Sequence, residues 1–355
     1  MGEDSIIKFS LRQSLLNDIE SFLEAEGFNL NAVAIEGVLS LINLVSDYYE
    51  EGQHLYPEII ITQDISIFQT IPSYKIKINT ATLELSSFKH AIKLCAPLAI
   101  NSWVIYIEIK DDNINFGLVS TEKSETSLSL HRQTLNRDLF YENATFAYIR
   151  SFGQKVVEIK GLDGSIQVYL NLDEEKELTE NKMAYLAHSI VAACSDDEDR
   201  REKLSIFFEK KLDDALKSGH GNLIAVVEDR EDSIQSIKEK LSDGIYLEEP
   251  INMTDYVLNA EEEKSNESFM LLKSYSSLMK SMMNHDGITL FTNTGKILGY
   301  HLFIKATPDE KAEGNENVST EGGARSRAFE VMKRLNFKAC FYKSQDGNTK
   351  YHGQK

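Results

Sequence analysis

The stretch Gly219-His-Gly-Asn-Leu-Ile-Ala-Val-Val227 decides how the second half of the chain is read. Five consecutive apolar residues, three of them β-branched, stand between a glycine-bearing turn and the charged run Glu228-Asp-Arg-Glu-Asp232. That pattern is a short buried strand. Working outward, a helix is expected at about 232–241 and another at about 263–283, with Met270, Leu271, Leu272, Tyr275, Leu278 and Met282 as its core residues. The runs 288–292 and 297–304 then form a hairpin around Asn293-Thr-Gly-Lys296. A polar loop-like stretch covers 307–322, a helix starts near Arg325, and a strand follows at 337–342. Strands alternating with helices predict an α/β (α+β) architecture, with a mixed central sheet flanked by helices.

The first half mixes both periodicities. Leu15, Leu16, Ile19, Phe22 and Leu23 share one helical face, and a second helix is expected from Ala32 to about Tyr49. Strands are expected at 58–62, 74–78, 103–109 and 114–119, with a helix at about 81–94, and a meander at 144–150, 155–159 and 165–170. From Glu175 to about Ser218 the pattern turns helical. The charge run 195–202 interrupts it, and Ser195 or Asp196 offers the N-cap of a helix carrying Leu204, Phe207, Phe208, Leu212 and Leu216. The expected organisation is an N-terminal domain at 1–182, a helical connector at 183–218 and a C-terminal domain at 219–355. No internal sequence repeat is visible.

A chain of 355 residues exceeds one ordinary core. The net charge of −18 argues against non-specific binding to nucleic acid or to anionic membranes. The charge is uneven: residues 284–355 hold 11 Lys/Arg against 8 Asp/Glu, so the remainder carries −21. A locally basic segment on an acidic chain suits a small polyanion, although three charges also fit ordinary scatter. Cys95, Cys194 and Cys340 are far apart and lack metal-ligand spacing, which fits a reducing compartment. The opening MGEDSIIKFS has no apolar signal core, and Glu3-Asp4 behind Gly2 makes lipidation unattractive. No window is long and apolar enough for a membrane span, so a cytoplasmic protein is expected. His54 and His90 are isolated, and Asp111-Asp112 reads as a turn between strands.

Three features of the last third carry chemistry. Asn284-His-Asp-Gly-Ile288 places Asp286 at a helix–strand junction, where a carboxylate followed by glycine can approach a ligand and hold a divalent metal. Gly322-Gly-Ala-Arg-Ser-Arg-Ala328 leads glycines into a helix N-terminus flanked by Arg325 and Arg327, a setting for phosphate. Ser344-Gln-Asp-Gly347 follows a strand. Each alone has a plainer reading: an Asp-Gly turn, a solvated first helical turn, a hairpin turn.

In this order and spacing, the features resemble the diadenylate cyclase domain, whose family carries an HDGA or DGA motif, a GTRHRAA motif and a Ser-Glu-Glu-x-Gly turn. The resemblance covers about 135 residues, from Gly219 to Gly353. It implies that Asp286 is the metal-binding aspartate assisting the ribose 3′-hydroxyl, and that Gly287 lets the backbone pass close to the nucleotide. It implies that Gly323, Ala324, Arg325, Ser326 and Arg327 grip the triphosphate, and that Asp346 stands near the second metal-binding acid. The implied cofactor is Mg2+ or Mn2+. The implied reaction joins two ATP into cyclic di-AMP, and since each domain holds one ATP, a homo-oligomer is implied. The chain departs from the family at Ile288, Ala324, Ser326 and Gln345-Asp346, and the loop 307–322 is long. Those departures motivate an alternative: a receptor that keeps the pocket, binds a nucleotide or cyclic dinucleotide, and signals to a partner. A third alternative is an interaction protein whose acidic N-terminal half docks a partner.

Overall fold

A computed structural model describes residues 10–69, 74–100, 102–122, 124–130, 144–153, 155–170, 179–218, 221–242, 244–305, 323–344 and 349–353. They form an α/β protein of two compact units, one of Met1–Lys123 with Ser129–Glu174 and one of Ser124–Leu128 with Glu175–Lys355. No helix among the described residues is long and apolar enough to cross a membrane.

In the N-terminal unit, helices α1 (Leu11–Ala25) and α2 (Ala32–Val45) precede a small hairpin, β1 (Tyr48–Glu50) and β2 (Gln53–Leu55). Then come β3 (Ile59–Thr62), β4 (Tyr74–Thr82), α3 (Leu85–Cys95), β5 (Trp103–Lys110), β6 (Asn113–Ser120) and the meander β7 (Ala147–Gly153), β8 (Val156–Lys160) and β9 (Ser165–Tyr169). The sheet order is β4-β6-β5-β3-β7-β8-β9, with β3 and β5 parallel and every other pair antiparallel. Leu16, Ile19 and Leu23 of α1, Val38 and Leu41 of α2, and Phe88 and Ile92 of α3 cover one sheet face through Ile59, Ile105 and Ile149. Ile60, Val104, Tyr106 and Tyr148 face the other way, with Phe68 and Phe146. The helix expected from Ala32 ends at Val45, and α3 begins at Leu85 because β4 runs on to Thr82.

The C-terminal unit opens with α4 (Thr179–Val191) and α5 (Glu198–Ser218). It continues with β10 (Asn222–Val227), α6 (Glu231–Lys240), β11 (Leu241–Ser242), β12 (Ile245–Asn252), α7 (Met253–Glu263), α8 (Asn266–Met283), β13 (Ile288–Thr292), β14 (Lys296–Ile304), α9 (Ala324–Met332), β15 (Ala339–Lys343) and β16 (Thr349–Gly353). The order is β11-β14-β13-β10-β15-β16, with β12 also on β14. Among the described strands of this unit, only β10 and β13 pair in parallel.

The expected 183–218 connector is instead part of this core. Leu186, Ile190, Leu204, Phe208 and Leu212 are fully buried in one cluster with Ile224, Val226, Phe291 and Phe341. At roughly 1.5–3 kcal/mol per buried side chain, such a double stripe cannot be left as a solvated link. The cap of α5 is Asp197, whose carboxylate accepts from the amides of Asp199 (3.0 Å) and Arg200 (3.4 Å), not Ser195 or Asp196. The helix expected at about 263–283 is α8, which starts at Asn266 behind its cap Ser265 because α7 closes on the left-handed Lys264 (φ 49°). Of its expected core, Leu272 and Met282 are buried and Tyr275 packs against them, whereas Met270, Leu271 and Leu278 are exposed and Met279 and Met283 are buried instead.

The two units share one connectivity. In each, a parallel pair (β3/β5; β10/β13) continues from its second strand into a hairpin partner (β6; β14). The strand lying between the parallel pair in sequence (β4; β12) joins that partner's far side. The first strand of the pair takes an antiparallel neighbour (β7; β15), which ends in another hairpin (β8; β16). The structure therefore repeats a topology that the sequence does not display.

One polar anchor in the N-terminal unit deserves a test. Glu26 is 2% exposed, and its carboxylate accepts from the backbone amides of Leu162 (2.7 Å), Asp163 (3.1 Å) and Gly164 (2.9 Å). Removing the carboxylate strands those donors, so Glu26→Ala is expected to cost roughly 2–4 kcal/mol. The exposed neighbour substitution Glu24→Ala is expected to change less than about 0.5 kcal/mol. Denaturant unfolding followed by circular dichroism compares the two.

Candidate functional site

The sheet topology gathers distant motifs at one end. Because β10 and β13 are parallel and β15 runs against β10, the starts of β10 and β13 lie beside the end of β15. Asn222 pairs with Lys343, and Leu223 with Ile288. The turn from α8 into β13 presents Asp286 at this edge. Asn222, 1% exposed, locks that turn by donating its side-chain amide to Met283 O (2.6 Å). Thr289 Oγ1 donates to Met282 O (3.2 Å). Two of the terminal carbonyls of α8 are thereby satisfied by side chains from the strands beneath.

Asp286 and Arg325, 39 residues apart, meet here: Arg325 Nη2 donates to Asp286 Oδ1 at 2.9 Å. Their side chains are 61% and 31% exposed. Such an exposed pair is worth only about 0–1 kcal/mol. Gly221, at φ +114°, makes room for it, since a Cβ there would lie 3.2 Å from Arg325 Nη1 and 3.1 Å from Lys343 O. Gly221 thus shapes the site, and its signal was the glycine-bearing turn before β10.

Gly323 is the N-cap of α9 and brings no side-chain acceptor to the first turn. That turn holds no acid, unlike those of α5 and α6, which carry Glu198, Asp199 and Glu231, Asp232. Ala324, Arg325, Ser326 and Arg327 instead stand at the positive end of the helix dipole. Lys350 of β16 adds a cation, its Nζ 3.4 Å from Ser326 Oγ and 3.5 Å from Glu330 Oε1. Sequence reading passed over Lys350, because only strand pairing brings β16 to this helix.

The requirement for glycine at 287 has a local cause. At φ +96°, its missing Cβ faces the backbone of His301 (2.9 Å) and Leu302 (3.0 Å). Close approach of the chain to β14, rather than to a ligand, explains it. His301, itself left-handed at φ 57°, donates Nδ1–H to Asp286 O (2.6 Å), and His285 Nδ1 lies 3.1 Å from the same nitrogen. Ile288, which departs from the small family residue, is 1% exposed in the sheet core. Asp346 and the stretch 307–322 lie outside the described residues.

Among the described residues, no group of three or more His, Cys, Asp or Glu could enclose a metal ion. A lone exposed carboxylate fits a different kind of site, in which Mg2+ or Mn2+ takes one or two carboxylates and fills its remaining positions with phosphate oxygens and water. No protein-family model matches this chain, and no curated protein matches it.

Beneath the site, Lys343 is 7% exposed and donates Nζ–H to Leu216 O at the end of α5. Burial pushes its ammonium down to about 8. The unfolded chain, with a lysine near 10.4, binds the proton more tightly, so Lys343 costs stability fully below pH 8. That cost is relieved as pH rises from about 8 toward 10.5. Comparing wild type with Lys343→Met isolates this from buried thiols and phenols. Relative to the variant, wild type is expected to gain up to roughly 3 kcal/mol between pH 7 and pH 10 in denaturant unfolding.

Proposed function

We propose that the C-terminal unit is a nucleotide-binding domain with diadenylate cyclase-like activity, condensing two ATP into cyclic di-AMP under the control of the N-terminal unit. The observation that carries the reading is the meeting of Asp286 with Arg325 at the N-terminus of α9. An aspartate, two arginines, a lysine and an uncapped helix start suit a triphosphate better than a neutral ligand.

In the proposed reaction, the ribose 3′-oxygen of one ATP forms a bond to the α-phosphorus of the other. The α–β phosphoanhydride breaks and pyrophosphate leaves with the bonding pair. The same step in the opposite sense closes the ring, releasing a second pyrophosphate. Arg325 transfers from Asp286 to the phosphates, and Arg327, Ser326 and Lys350 add donors around them. Asp286, released from its arginine, orients the attacking hydroxyl and accepts its proton as the oxygen bonds to phosphorus. A bound Mg2+ or Mn2+, held by Asp286 and phosphate oxygens, would neutralise developing charge on the leaving group. One nucleotide per domain requires two domains to meet, so the active form is a homo-oligomer. The proposed setting is the cytoplasm, with neither membrane nor nucleic acid as partner.

A second reading has its own support. Ala324 and Ser326 replace hydroxyl and imidazole groups of the family motif, which removes turnover before it removes binding. The protein would then be a receptor for a nucleotide or cyclic dinucleotide. Incubation with ATP and Mg2+ or Mn2+, followed by chromatography, separates the two. The enzyme reading predicts cyclic di-AMP, and Asp286→Asn lowering its yield at least 100-fold with an unchanged melting temperature. Tight binding of cyclic di-AMP without turnover transfers support to the receptor. Binding of neither ligand contradicts both.

A further inference from the structure

Away from the phosphate site, the C-terminal unit holds a cavity of about 390 Å³. This is within the range of roughly 300–1,000 Å³ typical of small-molecule sites. Its walls are α5, α7 and the segment Ser124–Leu128, which packs with this unit although its neighbours in sequence belong to the other. Leu128, Ile206, Phe207 and Val257 form an apolar floor.

The polar groups divide into two sets. Lys210 Nζ donates to Ser127 O (3.0 Å) and Glu125 O (3.4 Å), and Lys211 pairs with the Glu125 carboxylate. These two lysines fasten the wall and are committed to it. Asp199 and Glu202 of α5 and Glu261 of α7 line the cavity with Lys203; with Glu125 and Lys210 included, the lining holds four carboxylates against two ammonium groups, a balance of −2. Asp199, Glu202, Ile206 and Lys210 recur at helical spacing, so acid and apolar surface lie along one face of α5. Val257 and Glu261 repeat that arrangement on α7.

We infer that this cavity binds a small organic cation: an amine whose apolar, aromatic-sized body rests on Phe207, Ile206, Val257 and Leu128 while its ammonium meets Glu202 and Glu261. A neutral body would gain nothing from the carboxylates, and an anion would be repelled by them. The occupant shares no chemistry with a nucleotide, so the site is independent of Asp286 and Arg325.

Calorimetric titration of the full chain with tryptamine, tryptophol and indole-3-propionate tests this, because the three share one ring body and differ in charge. Tryptamine is expected to bind, with tryptophol at least tenfold weaker and indole-3-propionate weaker still. Glu202→Gln combined with Glu261→Gln is expected to bring tryptamine within threefold of tryptophol. Ile206→Trp, and separately Leu128→Trp at the exposed mouth, are expected to abolish binding with the circular dichroism spectrum unchanged. Absence of tryptamine binding, equal affinity for all three probes, or binding that survives both tryptophan variants would overturn the inference.

Discussion

Everything in the C-terminal unit depends on the complete burial of β10. Its six residues, Asn222–Val227, are shielded on both faces and hydrogen-bonded on both edges. A strand so placed leaves no backbone group for water, so both neighbours must be present and in register. β13 supplies one edge in parallel and β15 the other in antiparallel fashion. That combination brings the start of β13 and the end of β15 to the same end, where Asp286, Arg325 and Lys350 collect. Asn222 couples the strand to the site directly, since its buried amide fixes the carbonyl end of α8. The candidate site is a consequence of strand pairing rather than an addition to it.

Electrostatics then distinguishes this end from the rest of an acidic molecule. Within the C-terminal unit, α5, α6, α7 and α8 carry acids in their first turns. α9 begins with arginines, and Arg325 pairs with the exposed carboxylate of Asp286. A weak pair over a positive helix end is an arrangement that an arriving polyanion improves, because arginine gains stronger acceptors and the dipole gains a counter-charge.

Legibility in the sequence followed the range of the interaction. β10, the β13–β14 hairpin and the stripe of α5 were readable because their patterns are local and strongly apolar. α8 was readable as a helix with Leu272 and Met282 inside, but not its whole stripe, because apolar residues nearly encircle it and tertiary packing selects Met279 and Met283 over Met270, Leu271 and Leu278. β12 and α7 escaped notice because Glu248, Glu249 and Pro250 break alternation on an edge strand with irregular register. Glu26 stands 136 residues from its donor Leu162, with no local mark of the link. At the candidate site, Asp286, the arginines and the glycine-bearing turn of Gly221 stood out locally, whereas His301 and Lys350 became visible only once strands were paired. The shared connectivity of the two units lies in strand order, which composition does not encode.

The central claim is that the positive end of α9 is a triphosphate site held in reserve by Asp286. Calorimetric titration of a non-hydrolysable ATP analogue into metal-free protein tests it most directly. The account predicts that Arg325→Ala combined with Arg327→Ala weakens binding at least tenfold, while Asp286→Ala strengthens it by releasing Arg325 and removing a like charge. Equal affinities for wild type and both variants would contradict the account.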